Sequence, residues 1–406
     1  MRRREMSEPD EHRAFRAEVR AFIANNRPPT PAFKLPQTFL EVETKDQLAY
    51  HQDWQAQVYD AGFLGFDVPE EYGGRGVHSG KKAVVEQELA RARAPFFANF
   101  LALTWVAPTL LAFGTEAQKA RLLRPLLRGD EIWCQGFSEP NAGSDLASLS
   151  TRAMKTASGW EVTGHKVWTT LAHFAKWMIL LARTDPDVNK YTGLSYFLFP
   201  MDAAGVTVQP LLKMTREGGF NQVVFDRAPM PADALLGEAG QGWNIALTTL
   251  MFERGAADSS SRERAAVLFE QLKRVVALAQ RTQRSGRPVS LDPVFRDRIA
   301  QLWIDATAMG FSGARAGVAD LSQDRPLALP LMNKLVASEW NQRLAELACE
   351  MLGSDAMLGV DDPRAPDRGE WPRAFMSSCG MTIGGGTSEI LRNIIGERVL
   401  GLPKSK

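Results

Sequence analysis

From about residue 10 to residue 130 the apolar positions recur at spacings of three and four, the signature of helices that each bury one face. The pattern predicts helices over His12–Ala24, Lys45–Tyr59, Lys81–Ala92, Asn99–Phe113 and Glu116–Leu127, with Thr115 as the N-cap of the last. Between the second and third lie Gly62-Phe63-Leu64-Gly65 and the run Val68 to Gly76, whose Gly and Pro content predicts an irregular loop. Near residue 134 the period changes. Trp177–Ala182, Leu194–Phe199, Val206–Val208 and Val223–Phe225 are short apolar runs bounded by turn residues, the pattern of a small barrel or sandwich. Gly237 to Gly242 marks a second boundary, and from Trp243 the helical period returns to near Ser322, then over Leu327–Leu352 and Ser388–Val399. Gly353 to Glu370, rich in Asp, Pro and Arg, predicts a surface loop. The reading is an α+β multidomain chain: helices over 1–132, strands over 133–241, helices over 242–406.

A length of 406 residues accords with two or three domains, and 45% hydrophobic with 23% charged residues describes a globular chain. Forty-eight basic residues against forty-seven acidic ones leave no nucleic-acid footprint and no acidic tail. Cys134, Cys349 and Cys379 are widely spaced and form no CxxC, so core thiols in a reducing compartment are expected. No apolar run reaches the roughly 18 residues of a membrane span. Met1-Arg2-Arg3-Arg4 leads into Glu5, Glu8, Asp10 and Glu11 without an apolar core, so neither a signal nor a transit peptide is expected, and the expected location is cytoplasmic. The histidines His12, His51, His78, His165 and His173 show no metal-ligand spacing. Gly80-Lys81-Lys82 fails as a phosphate loop because Lys82 stands where Ser or Thr is needed, and no GxSxG supports an acyl hydrolase.

The candidate chemistry begins at Trp133 to Thr170. Cys134-Gln135-Gly136-Phe137-Ser138-Glu139-Pro140-Asn141-Ala142-Gly143-Ser144-Asp145 offers backbone N–H groups and hydroxyls to a ligand, and Trp168 followed by Thr169 and Thr170 pairs a flat apolar surface with hydrogen-bonding side chains. That combination suits a planar cofactor with polar edges. The alternatives are that Trp168 is a core aromatic and Ser138 a helix or turn cap.

Gly136-Phe137-Ser138-Glu139-Pro140, closed by Ala142-Gly143-Ser144-Asp145 and followed by Gly159-Trp160 and Gly164-x-Lys166-x-Trp168-Thr169-Thr170, resembles the signature of the acyl-CoA dehydrogenases, FAD enzymes that desaturate acyl-CoA thioesters. The resemblance covers essentially the whole chain and implies a helical domain, a small β-barrel and a C-terminal helical bundle. It implies that Gln135, Gly136, Phe137 and Ser138 meet the flavin edge, that Trp168 lies against the ring, that Thr169 also binds the cofactor, and that Thr170 hydrogen-bonds near its reactive nitrogen. It further implies that Thr387 and Glu389 contact the dinucleotide, that Ser144 touches the CoA portion, and that Arg254 lies near the substrate entrance. An electron-transferring flavoprotein is the implied electron acceptor, and the assembly implied is a homo-oligomer, dimer or tetramer.

Such a reaction needs a base for the α-proton and donors for the carbonyl oxygen. Many members place the base as Glu in a C-terminal Glu-Gly-Thr motif; here Thr382-Ile383-Gly384-Gly385-Gly386-Thr387 puts Gly385 at that position, and glycine takes no proton. A subset similar to the isovaleryl-CoA dehydrogenases carries it on the first helix after the barrel, immediately before an Arg, which matches Glu253-Arg254. On a helix Glu253 would share a small, mostly apolar face with Ala246, Thr249, Leu250, Ala256 and Ala257, where partial desolvation raises a carboxyl toward the range useful for a base. The alternative is a surface Glu paired with a Lys or Arg. Gly385 keeps its N–H, which the resemblance implies holds the thioester oxygen together with a flavin ribityl hydroxyl. The low bulk of Gly255-Ala256-Ala257 leaves room for a branched or ring-bearing acyl group.

The chain departs from the family pattern at Thr282-Gln283-Arg284-Ser285-Gly286 and at Glu350 to Ala356, segments implied to serve the adenine half of FAD. These departures leave two other readings open: a flavin monooxygenase or oxidase on the same fold, independent of Glu253, or a non-catalytic subunit of a hetero-oligomer.

Overall fold

The computed structural model describes residues 10–76, 78–254, 261–316, 328–360 and 362–404. The chain separates into two compact units, Met1–Glu253 and Arg254–Lys406.

The first unit opens with α1 (Asp10–Asn26), α2 (Lys45–Asp60) and α3 (Ser79–Arg91). Val19 and Ile23 of α1, Trp54 and Val58 of α2 and Val85 of α3 close on Phe66, as their spacing along one face of each helix requires. A wider π-helical turn at Ala102–Val106 runs into α4 (Ala107–Phe113). In α5 (Glu116–Arg128) Thr115 caps as the sequence predicts: its hydroxyl accepts from the Gln118 N–H, and the Gln118 side chain accepts the Thr115 N–H. Gly129, at φ 87°, ends that helix in a left-handed conformation that a side chain would strain.

Eight strands follow: β1 (Trp133–Gly136), β2 (Arg152–Thr156), β3 (Gly159–Thr170), β4 (Trp177–Arg183), β5 (Leu194–Pro200), β6 (Val206–Leu211), β7 (Phe220–Pro231) and β8 (Leu235–Leu236). They form one sheet in the order β6-β7-β3-β2-β4-β5-β8, with β1 paired parallel to β4. The apolar runs of β4 and β5 are unbroken because both faces are buried. Ile179, Leu181, Tyr196 and Leu198 pack with residues of α4 and α5. Their neighbours Met178, Leu180, Phe197 and Phe199 face Val223 and Phe225 of β7. Although β5 and β7 are far apart in the strand order, the Phe199 and Phe225 rings stand 5.1 Å apart, as do Trp160 of β3 and Phe197. The sheet therefore curls around its own core, as a small barrel does. After it, α6 (Gly242–Glu253) packs on β5 so closely that a Cβ at Gly242 would stand 2.5 Å from the Ser195 carbonyl carbon.

The second unit is a helical bundle of α7 (Ser261–Arg281), α8 (Pro293–Ala316), α9 (Ala328–Leu352), α10 (Glu370–Met381) and α11 (Ser388–Ile394), the last continuing as a π-helical turn over Ile395–Val399. Leu272, Val275 and Leu278 of α7 meet Leu302 and Ala306 of α8, Trp340, Leu344 and Met351 of α9 and Trp371 of α10. The indole N–H of Trp340 donates to the Leu302 carbonyl at 2.8 Å, so this large core side chain also satisfies its polar atom. Where the family pattern is broken after Thr282, the chain forms a two-stranded hairpin, β9 (Gln283–Arg284) with β10 (Arg287–Pro288). Ser285 and Gly286 turn it with φ of 49° and 72°, both positive as a tight hairpin turn requires. The predicted surface loop carries 3₁₀ turns at Gly353–Met357 and Pro366–Gly369, and at its end Glu370 begins α10, whose buried Trp371 anchors it to the bundle.

No helix among the described residues is long and apolar enough to cross a membrane, and no group of three His, Cys, Asp or Glu side chains is placed to hold a metal. Cys134 is buried, while Cys349 and Cys379 are half-buried; all three are free thiols.

Candidate active site

Two clusters hold the residues singled out from the sequence, one in each unit. In the first, β1 and β3 carry the two signature motifs. Gly136 lies over β4 with no room for a side chain, since a Cβ would stand 2.3 Å from Met178 Sδ. Phe137 turns its ring into the core, edge-on to Tyr196 at 5.8 Å, and so offers only its backbone to any ligand. Glu139 and Ala142 exchange two backbone hydrogen bonds around Pro140-Asn141, which reverses the chain.

The motifs are joined by a group that the sequence reading quoted without assigning a role. Lys166, fully buried on β3, donates to Glu139 Oε1 at 2.9 Å and to the Phe137 carbonyl at 2.9 Å. Glu139 also accepts from the Ser150 N–H, the Ser150 hydroxyl and the Thr151 N–H at 2.7, 2.7 and 2.8 Å. Burial alone would push the Glu139 carboxyl up, but the Lys166 ammonium and these hydrogen bonds outweigh it and hold the group at about 2.

Immediately after Lys166 the β3–β7 register slips. Lys166 faces Val223 and Thr169 faces Asn221, so three steps on β3 answer two on β7, a β-bulge at Val167-Trp168. The bulge lets the Val167 N–H donate to the Ser138 carbonyl at 2.9 Å. It also leaves Trp168 in a left-handed conformation at φ 59°, with 60% of its surface exposed and only an edge contact to Phe220 at 6.0 Å. Such a backbone costs about 1–3 kcal/mol.

The remaining cradle residues divide by burial. Thr169 and Thr170 are buried and Gln135 and Ser138 half-buried. Gln135 Oε1 and Thr169 Oγ1 are buried and lack a hydrogen-bond partner among the described residues. An open aromatic face with unpartnered polar atoms on the adjoining strands suits a flat ring with polar edges, so these residues fit a flavin. Ser144 stands apart on the exposed turn, next to Asp145, whose carboxylate is held below its usual range chiefly by the Lys190 ammonium.

Glu253 is the last residue of α6 and is half-buried, with Ala246 and Thr249 of the same helix buried before it. The Thr249 hydroxyl lies 3.0 Å from Thr109 Oγ1 and 3.1 Å from the Tyr196 hydroxyl, which fixes this end of the helix. Ala256 and Ala257, and with them Gly255, lie outside the described residues.

In the second unit the glycine run forms a turn, with Gly385 at φ 68° and Gly386 at φ 99°. Arg254 Nε donates to the Gly385 carbonyl at 3.0 Å, and Lys334 Nζ donates to the Gly386 carbonyl at 2.6 Å. Thr387 caps α11 by accepting from the Ile390 N–H at 3.2 Å. The exposed Glu389 carboxyl is held below its usual range by its own N–H, the Thr387 hydroxyl and Arg392. Thr387 and Glu389, implied to touch the dinucleotide, thus also build the start of this helix. Arg254, implied to face the substrate, holds the glycine turn. Lys334 gave no signal in the sequence, where one Lys in a helical pattern reads as a solvated face.

Comparison with known proteins gives this arrangement a family. The acyl-CoA dehydrogenase N-terminal, middle and C-terminal domain models match residues 9–130, 134–228 and 240–400. The acyl-CoA dehydrogenase IpdE1 of Mycobacterium tuberculosis is 38% identical over 397 residues, covering 96% of this chain and 97% of that protein. Among solved structures, the Tcur3481-Tcur3483 steroid ACAD superposes with a TM-score of 0.80 at 27% identity, over 99% of this chain and 100% of that one. The ChsE4-ChsE5 complex from Mycobacterium tuberculosis gives a TM-score of 0.77 at 28% identity, with both chains fully covered. The chain belongs to the acyl-CoA dehydrogenase family. It is an oxidoreductase with that family's helical, sheet and helical domains.

The Glu139–Lys166 pair yields a stability test. Lys166→Met, which leaves a buried carboxylate without its cation, should lower unfolding stability by about 3–5 kcal/mol in denaturant titration, and adding Glu139→Gln should restore part of the loss. Because the folded chain holds Glu139 at about 2 rather than 4.5, the unfolded chain binds the extra proton. This contribution is complete above pH 4.5 and is lost as pH falls toward 2; acid titration of the double variant should lack that component.

Proposed function

We propose that the protein removes the elements of H2 across Cα and Cβ of an acyl-CoA thioester to give the 2-enoyl-CoA, with FAD as cofactor. The observation that carries this reading is the placement of Arg254: the residue bonded to Glu253 in sequence holds the carbonyl of Gly385 at 3.0 Å. Arg254 follows the proposed base directly in sequence, and its side chain orders the glycine turn that stands where many members carry the Glu.

The chain's own groups divide the work. Glu253 takes the α-proton, and its half-buried position at the end of an apolar helix limits the water that would otherwise stabilise the carboxylate. The Gly385 N–H, which makes no hydrogen bond among the described residues, donates to the thioester carbonyl as charge develops there. Gln135, Gly136, the Phe137 backbone, Ser138, Trp168, Thr169 and Thr170 would hold the flavin, and Thr387 and Glu389 are the proposed contacts of the dinucleotide. Bound FAD supplies the acceptor for the β-hydride. Ser144 and Arg254 serve the CoA thioester. An electron-transferring flavoprotein is the proposed acceptor, and the proposed assembly is oligomeric.

For the acyl group we propose a bulky, ring-bearing skeleton. Two observations support it: the low side-chain bulk of Gly255-Ala256-Ala257 after the base, and the similarity at 27% identity to a structure described as a steroid ACAD. A second reading rests on the paired names of the Tcur3481-Tcur3483 and ChsE4-ChsE5 structures: this chain works beside a non-identical subunit that completes the adenine side of the FAD site. Purified alone, the chain would then be colourless and would take up FAD only with that partner.

The test is anaerobic addition of ring-bearing and straight-chain acyl-CoA thioesters to the yellow protein. The oxidised flavin band should bleach with ring-bearing thioesters, and Glu253→Gln should keep its FAD and lose the bleaching by at least about 10²-fold in rate. Bleaching at an unchanged rate in Glu253→Gln refutes the assigned base, and turnover of straight medium chains alone refutes the proposed acyl group.

A further inference from the structure

Gly384-Gly385-Gly386 is the most flexible backbone a chain can offer, yet its proposed task requires one N–H to be held in a fixed direction. The hydrogen bonds around the turn show how that direction is set. The Gly384 N–H donates to the Gly380 carbonyl at 2.9 Å, which fixes the peptide plane before Gly384. Arg254 on the Gly385 carbonyl fixes the plane between Gly385 and Gly386, and Lys334 on the Gly386 carbonyl fixes the plane between Gly386 and Thr387. The plane between Gly384 and Gly385 carries the Gly385 N–H and makes no hydrogen bond of its own among the described residues. Its orientation follows from the course of the whole turn, which the bonds to Gly380, Arg254 and Lys334 hold together. At φ 68° and 99° the two glycines occupy conformations from which they relax freely once a clamp is removed.

We propose that Lys334 is a positioning residue for the thioester-polarising N–H of Gly385. This rests on the dehydrogenase reading above. Lys334 stands on α9, the helix whose Leu331, Trp340, Leu344 and Leu347 are fixed in the bundle core, so its ammonium is delivered from a rigid support. Its bond to the Gly386 carbonyl is charge-assisted, half-buried and short, at 2.6 Å. Arg254 clamps the neighbouring carbonyl and adjoins the base in sequence; Lys334 comes from a different helix and holds the turn through the Gly386 carbonyl.

The experiment uses the FAD-loaded protein, Lys334→Met and Lys334→Arg, with an aryl-conjugated 2-enoyl-CoA as a chromophoric probe. A thioester carbonyl polarised by an aimed N–H shifts the absorption of such a probe to longer wavelength on binding, and this shift reports carbonyl polarisation without turnover. In Lys334→Met the shift should fall by at least half and kcat by roughly tenfold or more, while KM stays within about threefold. Lys334→Arg should recover part of both. An intact red shift in Lys334→Met overturns the proposal even if activity is lost, because the lysine then serves only folding; so do an unchanged kcat and a loss that Lys334→Arg does not relieve. Absence of any red shift in the unsubstituted protein is the separate result that removes the dehydrogenase reading, and the role of Lys334 with it.

Discussion

A buried ion pair fixes the geometry on which the candidate site is built. Glu139 in the turn after β1 and Lys166 within β3 are 27 residues apart and meet at 2.9 Å with essentially no solvent access. Neither charge tolerates that environment alone, and each is saturated by backbone groups as well: Phe137 for the lysine, Ser150 and Thr151 for the carboxylate. The consequence is geometric more than energetic. The loop after β1 is locked against β3 at the place where β3 bulges, so that Ser138 and Trp168 are presented from two segments with one register.

The same principle operates in the second unit by different means. There a glycine turn is held by Arg254 and Lys334 through its carbonyls. In both places charged side chains act on backbone carbonyls. The charges order the backbone from inside the protein, and the Gly385 N–H makes no hydrogen bond among the described residues. Gly385 carries no carboxylate but retains its N–H, and in the proposed reading the base is Glu253, the last residue of α6.

Much of the fold was legible from periodicity. The five N-terminal helices and β4 and β5 showed because each buries a continuous face or both faces, and the three-domain order followed from where the period changed. β3 and most of β7 were not legible as strands: their burial alternates irregularly around a bulge, and glycine, lysine and asparagine interrupt the apolar positions. α10 was hidden by the Pro- and Asp-rich tract before it. In the site, Trp168, Gly385 and Glu253 were found through motif resemblance, and the structure adds what motifs do not carry: the strained backbone of Trp168, the capping work of Thr387, and the turn-holding contact of Arg254. Glu139 and Lys166 were visible as letters within the motifs, but their pairing depends on the strand pairing that brings them together. Lys334 left no trace at all, since its contact is to a backbone carbonyl 52 residues away.

The central claim is that Glu253 removes the α-proton in a site whose thioester is polarised by the glycine turn. Proton removal can be observed apart from hydride transfer by following deuterium uptake from D2O at Cα of a bound thioester analogue that lacks a transferable β-hydrogen, using mass spectrometry. The unsubstituted protein should exchange that proton and Glu253→Gln should not; exchange at the same rate in both would contradict the account.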